Sequence, residues 1–157
     1  MTLGNERSLF LYVIGNAQTT LRMRCLFTNR KKDECYMDKM KSPKWEREEV
    51  VLLVVEYFRT RDLSRQEVLK SIAFLSRFLK RRAVLLGNEV NETFRNETGI
   101  EMKFGNIKSL DKKYVEAGGK GLKASSKLDR LVVEEYCENA DRVKGEAYEV
   151  LMRYNFS

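Results

Sequence analysis

Between residues 45 and 154 the apolar residues recur at helical intervals, whereas those of residues 1–41 follow no clear period. Val50, Val54, Tyr57 and Phe58 form one stripe, and Val51 and Val55 widen it, which predicts a well-buried helix over 45–59. Ser42 is placed to cap that helix, with Pro43 at the first helical position, where a missing N–H costs nothing. Ser64-Arg-Gln-Glu67 has the pattern of a capping box and opens a second helix to about Arg82, with Val68, Ile72, Leu75 and Leu79 facing the core. Thr98-Gly-Ile-Glu101 has the same pattern and predicts a short helix to about Leu110, with Ile100, Phe104 and Ile107 inward. Ser126-Lys-Leu-Asp129 caps the next, with Leu128, Leu131, Val132 and Tyr136 inward. Asn139 or Asp141 caps a last helix carrying Val143, Ala147, Val150, Leu151 and Tyr154. The expected fold is mainly α, a compact bundle of about five helices with a helix-turn-helix-like central element. It occupies residues 42–157, and residues 1–41 form an extension read as a short strand or an arm.

Composition narrows the function. The 157 residues suit one domain with a core, and 30 Lys+Arg against 23 Asp+Glu give a net charge of +7 that favours a polyanionic partner. The absence of histidine removes the commonest general base and the histidine ligands of zinc fingers and HNH nucleases. Cys25, Cys35 and Cys137 form no C-x-x-C pair, and they read as reduced thiols of a cytoplasmic protein without metal or cofactor. The apolar run Ser8–Ala17 is far shorter than the roughly 20 residues of a membrane span, so no membrane association is expected.

The candidate chemistry lies around the third predicted helix. With Ile100, Phe104 and Ile107 inward, Met102, Gly105, Asn106 and Ser109 turn outward, and their mostly small groups suit a helix that approaches a groove floor. Asn106 can pair with an adenine edge, while Arg95, Asn96, Lys103, Lys108, Lys112 and Lys113 lie where phosphates would be met. Lys120, Lys123 and Lys127, among glycines and serines, offer further charge and exposed N–H groups. The plainer reading is a solvated amphipathic helix followed by a flexible loop. Gly118-Gly-Lys-Gly121 lacks the spacing of a phosphate-binding P-loop. Glu48-Glu49 and Glu134-Glu135 read as solvated faces, because adjacent helical positions diverge by about 100°. No catalytic constellation emerges, and the chain is not expected to be an enzyme.

Segments 94–111, FRNETGIEMKFGNIKSLD, and 118–129, GGKGLKASSKLD, resemble a helical domain that accompanies HNH-family restriction endonucleases. Trp45-Glu-Arg-Glu-Glu-Val50 fits the opening helix of that domain and Leu75-Ser76 its second. Phe94, Arg95, Asn96, Gly99, Ile100, Met102, Lys103, Asn106, Leu110 and Asp111 fit the central motif. Gly118, Gly121, Leu122, Ser126, Lys127, Leu128 and Asp129 fit the last. Phe104, Lys112 and Lys123 depart from it, standing where Leu, Pro and Ser are usual, and without histidine there is no HNH module. The resemblance covers about residues 42–155 and implies a domain that engages DNA, with any cutting done by a partner nuclease chain. The expected function is therefore binding of nucleic acid, DNA rather than RNA, in a restriction, defence or mobile-element setting. The alternative is a protein–protein adaptor that recruits or antagonises a nuclease subunit.

Overall fold

Six helices and their connections make up residues 43–155, which are the residues that the computed structural model describes. The chain divides after Lys41 into two units, and the described residues belong to the second. The strand or arm expected in 1–41, the run Ser8–Ala17, Cys25, Cys35 and the Ser42 cap lie outside the described residues. The helices are α1 Arg47–Thr60, α2 Arg65–Leu85, α3 Glu97–Lys108, α4 Lys112–Glu116, α5 Lys127–Glu138 and α6 Ala140–Asn155. The unit is mainly helical, with no strand among the described residues. None of its helices is long and apolar enough to cross a membrane.

Helix α1 is the axis of the bundle. It packs against α2, α3, α5 and α6, so that Val50, Val51, Leu52, Leu53 and Val54 are all fully buried. Burying a side chain of this size contributes about 1.5–3 kcal/mol, which outweighs the modest helix propensity of β-branched valine. Two carboxylates go inside with them. Glu56, 0% exposed, is met by Arg59, whose guanidinium also donates to Ser71 Oγ, and Glu49, 2% exposed, is met by Arg95. Reading Glu48-Glu49 and Glu134-Glu135 as solvated faces is thus corrected for three of the four. Glu48 takes Arg82 and Arg153, Glu135 takes Arg47 and Arg142, and Glu134 alone is exposed.

The start of α1 also departs from expectation. Its N-cap is Glu46, and Glu49 Oε2 accepts from the Glu46 N–H at 2.9 Å. Pro43 and Lys44 stay outside the helix, where their carbonyls accept from Arg95. Helix α2 opens with the Ser64/Glu67 capping box as expected, and it runs past Arg82 to Leu85. There Gly87, at φ +77°, supplies the left-handed residue that turns the chain away. Ile72, Leu75 and Leu79 are buried on the predicted stripe, and Phe78 joins them. Ser126 and Asp129 form the expected box at the start of α5, and Asn139 Oδ1 accepts from the Arg142 N–H at the start of α6.

Helices α1, α5 and α6 are tied at the surface by Arg47, which forks to Glu135 at 2.6 Å and Glu146 at 2.9 Å. Hydrogen bonding from Arg47, and then from Arg142, holds the Glu135 carboxyl below the usual carboxylate range. A depressed folded-state value gives stability that is present above the unfolded value and lost as pH falls through the folded one. The Glu135→Gln variant is accordingly expected to show a shallower loss of stability on the acid side. Urea midpoints between pH 7 and pH 3 check this, and an unchanged acid limb contradicts it.

Candidate nucleic-acid interface

The segment expected to meet DNA begins at Arg95, and the structure turns that residue inward. The residue is 6% exposed. Nε and Nη2 donate to Glu49 at 2.8 and 2.7 Å, while Nη1 and Nη2 donate to the carbonyls of Pro43 at 3.0 Å and Lys44 at 2.9 Å. The guanidinium lies 3.9 Å from the ring centre of Trp45 and 4.9 Å from that of Phe94. Arg95 adopts φ +44°, an uncommon conformation for a side-chain-bearing residue, and its carbonyl accepts from Ser76 Oγ at 2.8 Å. The guanidinium and carbonyl of Arg95 thus serve the fold, and its expected role as a phosphate clamp is corrected. The same holds for Asn96, whose side chain accepts from the Gly99 N–H at 2.8 Å as the N-cap of α3. The helix therefore starts at Glu97, earlier than the Thr98 box predicts.

Lys103 points the other way from the expected flank. It is 5% exposed, donates to Asp129 Oδ2 at 2.8 Å, lies 2.6 Å from Oδ1, and sits over the Trp45 ring. Asp129 is fully buried and also accepts from the Ser126 N–H, so one carboxylate both neutralises a cation of α3 and caps α5. A phosphate contact by Lys103 would strand that carboxylate without a charge partner.

The outward face of α3 is partly covered: Gly105, Asn106 and Ser109 are half-buried, and Met102 stays exposed. The loop after α4 folds back on it: the Leu122 N–H donates to the Gly105 carbonyl at 2.9 Å, and a Cβ on Gly105 would lie 2.9 Å from Leu122 Cδ1. A Cβ on Gly121 would lie 2.7 Å from Ser109 Cα, and one on Gly119 2.6 Å from Tyr114 Cε2. The glycines at 105 and 121 are therefore small because loop and helix meet closely there, not because a groove floor approaches. Asn106 Oδ1 is buried in the same region without a hydrogen-bond partner. The bidentate adenine contact expected of Asn106 is corrected on this ground, since the buried Oδ1 cannot accept from a base edge as it stands.

What remains exposed is the lysine set that follows. Lys108 is half-buried, its Nζ 4.3 Å from the Tyr114 ring centre. Lys112, Lys113, Lys120, Lys123 and Lys127 lie at the surface, and none has an ion-pair partner among the described residues. Residues 112–127 hold these five lysines and a single carboxylate, Glu116. Lys70, Arg77 and Arg130 also lack an ion pair among the described residues, but 112–127 gathers five such lysines within one short segment.

Helix α4 has no counterpart among the predicted elements, and it helps to form a cleft that periodicity does not reveal. The cleft is open, about 570 Å³ in volume, and lies where the end of α1 and the start of α2 meet α3 and α4. At its wall Tyr57 donates to Asp111 Oδ2 at 3.1 Å, and Arg61 donates to the same oxygen at 2.9 Å. Burial first, and then the Asp111 carboxylate, hold the Tyr57 hydroxyl well above the usual phenol range, so it remains a donor at neutral pH. The signal for the loop-on-helix packing in the sequence is Leu122, an apolar residue in an otherwise small and basic loop. Among the described residues no cluster of potential metal ligands occurs. Compared with known proteins, the chain matches no family model, no curated protein and no solved structure.

This geometry has two consequences for stability. Lys103→Met leaves Asp129 buried without its cation, and urea unfolding should show a loss of about 3–5 kcal/mol; a loss under about 1 kcal/mol contradicts a buried pair. Gly121→Ala forces two stretches of backbone apart and should cost about 1–3 kcal/mol, more than Gly105→Ala, whose new methyl meets only the movable end of Leu122. Equal losses for the two alanines contradict direct loop-on-helix packing.

Proposed function

We propose that residues 42–157 form a duplex-DNA-binding module that acts without chemistry of its own, and that it meets phosphates through the lysines of 112–127. The observation that carries this reading is the set of five surface lysines, none ion-paired among the described residues, against one carboxylate in that segment. Long flexible cations that neutralise no protein carboxylate release condensed counterions when they meet a phosphate backbone, which is a strong driving force at low salt. Lysine suits this task, being a compact point charge with rotatable donors, and it tracks a backbone without demanding a particular base.

The reading differs from a recognition helix in a groove. The segment presents charge from a short helix, a glycine-rich loop and the first turn of α5, all held against α3 by Leu122, Gly121 and the Ser126/Asp129 cap. Contacts of that kind position a duplex and carry little sequence information by themselves. The resemblance to the domain that accompanies HNH nucleases agrees with this division of labour, in which a partner chain would cut and this module would hold. A restriction, defence or mobile-element setting is part of the same proposal.

The test is anisotropy of a labelled duplex across a salt series. The parent chain should bind with an affinity that falls steeply with salt. Replacing Lys120, Lys123 and Lys127 together by Gln should weaken binding and reduce the log–log salt slope by about 3, or about 1 for each phosphate that is no longer neutralised. An unchanged slope overturns the assignment of these lysines. No binding at low salt overturns the DNA reading and directs the search to a protein partner.

A further inference from the structure

We infer that the cleft between α1, α2, α3 and α4 is a nucleotide subsite, which takes one unstacked nucleotide with its base inward and its phosphate at the rim. The inference rests on the DNA-binding reading and adds to it a preference for an unpaired residue at a strand end. The inner wall is apolar, built from Ile72 and Phe104, both buried, with half-buried Val68 beside them. A volume near 570 Å³ falls among small-ligand sites, which run from about 300 to 1,000 Å³, and is too narrow for a duplex to enter.

The charges around the cleft select the ligand. Its two rim carboxylates are already answered, Asp62 by Arg61 and Glu101 by Arg65. Asp111, behind the wall, takes Arg61 and the Tyr57 hydroxyl. Lys108 and Lys113 also line the cleft, and neither has a carboxylate partner among the described residues. The Arg65–Glu101 pair at the mouth is exposed on both sides and contributes little by itself, which leaves Lys108 and Lys113 as the cations for a phosphate. An apolar floor beneath two unanswered lysines fits an anion with a flat body, which is the chemistry of a nucleotide.

Continuity with the proposed backbone contacts makes a strand end the fitting source. Lys113 and Tyr114 belong to α4, the first part of the lysine-rich segment, and Ala117 closes that helix on the cleft. A backbone that meets Lys113 therefore lies beside the cleft, where a paired base would stay in the stack while a terminal unpaired one can enter. A free nucleoside monophosphate offers the same chemistry without the polymer.

The experiment keeps charge constant. Two labelled duplexes are compared, one with a single unpaired 5′ thymidine and one with an abasic residue in its place. The parent chain should bind the thymidine-ended duplex about tenfold more tightly, the scale of one base stacked on a protein surface. Ala117→Trp, which fills the mouth from an exposed position, should remove that difference. Equal affinity of the parent for both duplexes overturns the subsite while the DNA-binding reading stands. If neither duplex binds, that reading falls, and titration with thymidine 5′-monophosphate alone decides the cleft. Amide NMR shifts at Gly105, Lys108 and Ala117 then support a site for the free nucleotide, and their absence overturns it.

Discussion

Helix α1 is enclosed by other helices, and the carboxylates it carries inward must be met by cations. Glu49 lies against Arg95, and Glu56 against Arg59. A carboxylate stranded in such surroundings costs several kcal/mol, far more than an exposed pair gains, so the positions of these cations are tightly constrained. Arg95 has to approach from the loop before α3, which sets its guanidinium over the rings of Trp45 and Phe94 and holds the Pro43–Lys44 backbone at its edge. One buried charge in α1 thereby sets where the chain enters the bundle and how the loop before α3 is bent.

The same constraint governs the rest of the motif. Lys103 and Asp129 join α3 to α5, and Asp111 joins the end of α3 to Tyr57 and Arg61 at the end of α1. Each cross-link is a charge-assisted bond in a water-poor place, where such bonds are strongest and where a missing partner is most damaging. With these cations committed inside, the proposed polyanion contact falls to the lysines of 112–127, whose local carboxylate is Glu116 alone. Structure and proposed binding are therefore carried by different cations of the same motif.

Much of the fold was legible in the sequence. Helical periodicity identified α1, α2, α3, α5 and α6, because one-sided burial leaves a clear 3.6-residue signature. Capping chemistry fixed the starts of α2 and α5 through Ser64/Glu67 and Ser126/Asp129, since those boxes are local. The start of α1 differs from the expected one because the cue at Ser42-Pro43 is local, while the bond that holds the Pro43 carbonyl outside the helix comes from Arg95, across the bundle. The site was read less well for the same reason. Arg95, Asn96 and Lys103 carry the residue types of a phosphate contact, and spacing alone does not show that Glu49 and Asp129 wait for two of them in the interior. Small residues at 105 and 109 likewise signal close approach without saying what approaches, which here is the Gly121–Leu122 segment. The single-turn helix α4 is too short to leave a period, so the cleft it completes had no sequence signature.

Structure and binding meet in a division of labour, in which the motif's inner cations build the domain and the lysines of 112–127 are proposed to hold the ligand. Its most direct test is duplex affinity of a Lys103→Met/Asp129→Asn variant whose helicity and cooperative unfolding match the parent. The double replacement removes both buried charges and leaves an acceptor for the Ser126 N–H. The dissociation constant should stay within about twofold of the parent, since a charge facing the interior contributes nothing to a phosphate contact. A folded variant whose affinity drops about tenfold, the cost of removing one charge-assisted bond, would contradict it and return Lys103 to the interface.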